Sequence, residues 1–117
     1  MFTAYVITTV LTITANAGMA VADFTRARFV LANSAEVGVP RSWLPWLGAL
    51  KTAGAAGLLL GLLGAGAIGM AAATGLVLFY VGAVAAHVRT GVYHNIAFPG
   101  GYLALAAGSL VLAAYAS

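Results

Sequence analysis

The sequence predicts an all-α integral membrane domain: a four-transmembrane-helix bundle with a short interfacial helix between its first and second spans. Three observations lead there. Of 117 residues, 63% are hydrophobic and 6% charged, against about 25% charged in an ordinary soluble domain. The apolar stretches reach the ~20 residues a helix needs to cross a ~30 Å hydrocarbon core. The Ala/Leu/Gly runs show none of the alternation of a transmembrane barrel. Five cations and two anions cannot solvate a soluble globule of this size or form a basic stripe, which excludes a soluble enzyme, a disordered segment and a nucleic-acid module. With no cysteine, thiol–disulfide chemistry, thiolate-held iron–sulfur clusters and cysteine-rich zinc sites are excluded too. The length allows a single integral membrane domain, 1–117.

The first span covers about residues 2–23. Ala20-Val21-Ala22 has the small-x-small form of a cleavage site, but no Lys or Arg precedes the apolar run and its length suits a span, so it reads as a retained helix. A polar connection, 24–41, follows. Within it Phe24, Ala27, Leu31 and Ala35 recur at helical spacing, with Arg26, Asn33 and Glu36 elsewhere on the wheel, and the segment ends at Gly38-Val39-Pro40. Residues 42–86 carry one charge, Lys51. As one helix they would reach roughly 67 Å, over twice the core thickness. They must fold back, and Gly64-Ala65-Gly66 is the place. The spans are then about 42–63 and 67–88. A second polar connection, 89–97, leads to the fourth span, 98–116, with Pro99 in its first turn, where no backbone N–H is needed.

Arg26, Arg28 and Arg41 lie in the first connection and Arg89 in the third. Counting positive charge inside places both in the cytoplasm and both termini outside, in a multi-pass plasma-membrane protein. Trp43, Trp46, Tyr93 and Phe98 then mark the cytoplasmic interface, and Phe2, Tyr5 and Tyr115 the outer one. Gly57 and Gly61 form a GxxxG pair in the second span. Such a smooth face serves either packing inside one bundle or a homodimer seam through that helix.

Lys51 lies about nine residues, or roughly 13 Å, into the second span. An ionised lysine near mid-bilayer costs at least ~2.5–3.5 kcal/mol on insertion scales, so it either snorkels to the surface or has a partner. Asp23, at the same end of the first span, is the better of the two acids, and Asn16 lies two turns from it along one face. The third span supplies a matching line, Tyr80 and His87, with Thr74 deeper; His94 and Asn95 follow in the connection. Asp23, Lys51 and His87 are the candidate catalytic groups; Asn16, Tyr80, His94, Asn95 and Trp43 are the candidate ligand-binding ones. No short ligand motif supports a metal, and the two histidines come from one connection rather than from opposing helices as a haem would need. No cofactor is expected.

The run Gly38-Val39-Pro40-Arg41-Ser42-Trp43-Leu44-Pro45, then Leu47-Gly48-Ala49-Leu50-Lys51, Gly54 and Gly57-Leu58-Leu59, resembles the DoxX-like family of small bacterial membrane proteins. Asn16 with Ala22-Asp23-Phe24, and the later Gly82-Ala83-Val84, His87, Arg89, Tyr93-His94-Asn95 and Phe98-Pro99, resemble it too, so that nearly the whole chain is covered. The resemblance implies a four-helix membrane bundle, relatives associated with membrane redox complexes and thiosulfate:quinone oxidoreduction, and recurrent polar positions matching Asp23, Lys51 and His87.

Three functions compete. The first is a protein that binds a lipophilic small molecule near the cytoplasmic leaflet and does cofactor-free acid–base chemistry on it (isomerisation, cyclisation or epoxide opening). Asp23 and His87 would exchange protons, and Lys51 would hold Asp23 ionised or stabilise an oxyanion. The second is a quinone-interacting or membrane-anchor subunit of a redox complex, with His87 or Tyr80 on a quinone carbonyl. The third is a structural or small transport protein, for which four spans are few.

Overall fold

The computed structural model describes residues 2–116. They form five α-helices, α1 (Phe2–Phe24), α2 (Arg28–Glu36), α3 (Leu44–Leu62), α4 (Gly66–Thr90) and α5 (Ala97–Ala116), with a 3-10 turn, Arg41–Trp43, before α3 and no strand among the described residues. The four long helices close a ring: α1 packs on α3 and α5, and α4 on the same two. α1, α4 and α5 are long and apolar enough to cross a membrane; α3, which carries Lys51, is not among them.

The helix ends follow from local chemistry. α3 stops at the Gly64 turn: Ala65 N–H reaches Leu60 O (2.9 Å), Gly64 N–H reaches Gly61 O (3.2 Å), and Gly64 lies at φ +119°, where a Cβ would be strained. The same pair of bonds closes α2 at Gly38 and α4 at Gly91. It also closes α1, with Ala27 N–H on Ala22 O (3.0 Å) and Arg26 N–H on Asp23 O (3.2 Å), but Arg26 fills the left-handed position at φ 52°. This break corrects the expected amphipathic face of the first connection. A wheel drawn through 24–35 crosses the break, so its phase is lost. Phe24 and Ala35 are exposed, and α2 instead buries Val30 and Ser34, with Val37 just beyond its end. The second long helix starts at Leu44 rather than near 42 because Pro45, lacking an N–H, belongs in its first turn.

Packing is inverted relative to a soluble protein. α1 buries Thr9, Thr12, Asn16, Ala20 and Asp23, one face at three- and four-residue spacing. Ile7, Val10, Leu11 and Val21 point outward, as do Leu60, Leu78 and Val111 on other helices. An exposed apolar exterior over a buried polar seam is stable in hydrocarbon, where polar groups must find partners inside. The glycines of α3 serve the seam with α4: a Cβ on Gly61 would meet Gly69 Cα at 2.7 Å, and one on Gly57 would meet Ala72 Cβ at 2.5 Å. That face, open in the sequence to either an internal or a homodimer seam, is covered by α4.

Candidate functional site

The polar seam is built one helical turn at a time. Thr9 and Ser109 share a hydroxyl hydrogen bond of 2.8 Å between α1 and α5. Thr12 donates to Thr8 O (2.7 Å) and toward Leu105 O (3.3 Å). The Asn16 Nδ2 donates to Thr12 O (2.8 Å), and its Oδ1 accepts from Tyr80 Oη of α4 (2.5 Å). Two turns further, Asp23 Oδ2 accepts from Lys51 Nζ at 2.7 Å; the residues are 2% and 7% exposed. Snorkelling is therefore not the solution for Lys51: its ammonium is paired inside, and lies 5.3 Å from the centroid of the Phe79 ring. Gly48 lets α3 come this close. A Cβ there would meet Asp23 Cβ at 3.2 Å.

A second network lies beside the first. His87 Nδ1–H donates to Ala83 O at 2.8 Å, since a carbonyl only accepts. Its Nε2 is 3.1 Å from Asn33 Oδ1 of α2, and Asn95 Nδ2 donates to the same Asn33 Oδ1 at 2.8 Å. These bonds tie α2 to α4 and to the connection before α5. Asn95 Oδ1 is buried and has no hydrogen-bond partner.

Between the networks is a cavity of about 450 Å³. Met19, Val30, Leu44, Leu47 and Phe98 form its apolar wall; Asp23, Asn33, Tyr80, His87, Asn95 and Tyr102 bring polar atoms to it. Of the residues singled out from sequence, Asp23, Tyr80, His87 and Asn95 line this space. Lys51 and Asn16 stand behind it, hydrogen-bonded to Asp23 and Tyr80. Two do not reach it. Trp43, in the 3-10 turn, is 54% exposed. His94 turns outward and pairs with Glu36 at 2.6 Å, its side chain 65% exposed. Thr74 is exposed and bonds to Met70 O of its own helix. Among the described residues no three His, Asp or Glu side chains are gathered as a metal site requires.

Asn33 was missed as a site residue. Sequence alone shows it on the polar side of a weakly amphipathic segment, and the lost helix phase after Arg26 hides that it shares a side with the buried Val30, Ser34 and Val37. Tyr102 and Phe79 were missed because aromatics in apolar spans carry no distinguishing spacing.

The fold and seam define a small helical membrane protein with an internal polar line and a cavity at one end. The DoxX-like family profile matches residues 7–109, and the chain belongs to that family. Comparison with curated proteins and with solved structures gives no match.

Proposed function

We propose that this protein binds a lipophilic small molecule in the cavity lined by all five helices. The observation that carries the reading is the lining: a mainly apolar wall around convergent Asp23, His87 and Asn95, with one buried polar atom, Asn95 Oδ1, lacking a partner. Pockets of this size and mixture hold small molecules and orient them by a few polar groups.

In the same reading α3 crosses the bilayer with the other three long helices, since the tight Gly64 turn leaves α4 antiparallel to it and the Lys51 charge is neutralised internally. Both arginine-bearing connections lie at the cavity end, which supports reading that end as the cytoplasmic face of a bacterial plasma membrane, with both termini outside. A homodimer through α3 is left out, because Gly54, Gly57 and Gly61 face α4 and Gly48 faces α1.

Acid–base chemistry on the guest is the second reading, favoured by Asp23 and His87 lining one cavity while Lys51 holds Asp23 from behind. A quinone belongs to the same ligand class, flat and apolar with carbonyl acceptors. The test is extraction: protein purified in mild detergent should carry a lipophile in near-stoichiometric amount, identified by mass spectrometry, and a folded Ala83→Phe variant should not. An equal yield from both overturns the binding reading. Once the molecule is known, unchanged conversion by His87→Ala would sink the catalytic one, and a recovered quinone would favour the redox-complex role.

A further inference from the structure

Lys51 takes one oxygen of Asp23 and leaves the other. Oδ2 accepts from Lys51 Nζ at 2.7 Å, and Oδ1 makes no hydrogen bond to any described residue. Among the described residues that are not themselves exposed, Asn95 Oδ1 is the one side-chain atom both buried and unpartnered. Asp23 Oδ1, unpartnered too, is therefore not shut off. The residue as a whole is only 2% exposed and lines the 450 Å³ cavity, so its open oxygen is met from inside that cavity.

This oxygen asks for a hydrogen. A carboxylate oxygen only accepts, and bonds to a charged acceptor are the strong ones. Most donors on the same wall are already engaged: Tyr80 Oη on Asn16, His87 Nδ1 on Ala83 O, and Asn95 Nδ2 on Asn33. Asn33 Nδ2 makes no hydrogen bond and can meet a carbonyl or ether oxygen. A guest headed by either would still cover Asp23 Oδ1 without giving it a hydrogen, and a charged group left unpaired away from water is the costly outcome. Charge narrows the choice further. The Asp23 carboxylate is already matched by the Lys51 ammonium, and Arg26, Arg28, Arg41 and Arg89 lie in the connections at the same end. A cationic head would arrive with no charge left to balance it.

We propose that Asp23 is the residue that selects the guest's head group, and that the guest is an uncharged lipophile ending in a hydroxyl, which donates to Asp23 Oδ1. Lys51 is a positioning residue: by holding Oδ2 from α3 it aims Oδ1 into the cavity and removes the demand for a cation. This rests on the cavity being a lipophile site and adds the class of head group, against a ketone or quinone.

The test uses the full chain in nanodiscs with four probes on one apolar body: 4-pentylcyclohexanol, its methyl ether, 4-pentylcyclohexanone and 4-pentylcyclohexylamine. Binding is read by calorimetry, with empty nanodiscs subtracted. The alcohol should bind at least ~10-fold more tightly than the ether and the ketone, the effect of a hydrogen bond to a charged acceptor, and more tightly than the amine. Asp23 is the chain's one aspartate, so ¹³C labelling of aspartate gives a single carboxylate signal. The alcohol should shift it, and the ketone at equal occupancy should leave it in place. The Asp23→Leu/Lys51→Met variant, with the pair replaced by apolar groups, should bind alcohol and ketone alike. If that variant does not fold, the carboxylate signal of the parent chain decides. A parent chain that binds all four probes equally, or prefers the amine or the ketone, overturns the inference and leaves the cavity reading standing. So does a double variant that keeps the preference for the alcohol. If no probe binds, both fall.

Discussion

Lys51 and Asp23 are two charges held away from water, and their value lies in each other. Deleting one partner of a buried pair strands the remaining charge, at a cost of about 3–5 kcal/mol, whereas replacing both with apolar groups of similar volume is often neutral. Lys51→Met alone should therefore lower the unfolding free energy in detergent by that order, and Asp23→Leu/Lys51→Met should recover most of it. A double variant as unstable as the single one would mean that the pair is not what these residues supply. Arg26 presents the opposite case, a side chain in a backbone position suited to glycine. The left-handed conformation costs a residue with a Cβ about 1–2 kcal/mol, so Arg26→Gly should raise the midpoint of thermal unfolding, by an amount equivalent to about 1 kcal/mol once the extra freedom of glycine in the unfolded chain is deducted.

At the scale of helices, α3 and α4 come together because neither carries bulk along the line of contact. In lipid no hydrophobic force presses helices together, so close approach and dispersion contacts decide. Gly61→Ala puts a methyl 2.7 Å from Gly69 Cα, a backbone atom that cannot swing aside. The helices must part locally, at a cost of about 1–3 kcal/mol. Gly82→Ala, with nothing within 4 Å, is the matched control and should be neutral or slightly stabilising. Unfolding curves of the two variants separate seam packing from helix propensity. The short α2 depends on contacts rather than on propensity, since nine residues are too few to hold a helix alone. Asn33→Leu removes its bonds to His87 and Asn95 and should raise hydrogen exchange along 28–36 while leaving α1 and α4 protected.

For the whole molecule, the ring of four long helices gathers both polar connections at one end and the Gly64 turn at the other. Because the chain has no native cysteine, single cysteines report orientation without background. A membrane-impermeant maleimide added to intact cells should label Gly66→Cys, beside the same turn, and spare Glu36→Cys; the reverse would invert the orientation. Labelling of both positions would remove the four-crossing topology. The cavity is also a property of the whole, since its wall draws on all five helices and the connection before α5.

Residues 1–117 carry within their order the apolar stretches, the glycine stops at 38 and 64, and the anomaly of Lys51 inside a span. Those features are local or compositional, and hydrocarbon thickness converts them directly into helices and their number of residues. The pairing of Asp23 with Lys51 was also within reach, because only two acids exist and one ends a neighbouring helix. What pattern could not give was the partner of His87. That depends on the rotation of α2, which is set by a left-handed Arg26 that no residue preference announces. Nor could it separate Asn95, turned inward, from His94 beside it, turned outward to Glu36: two adjacent residues in a turn are aimed by the packing around them, and that packing exists only once the helices have met.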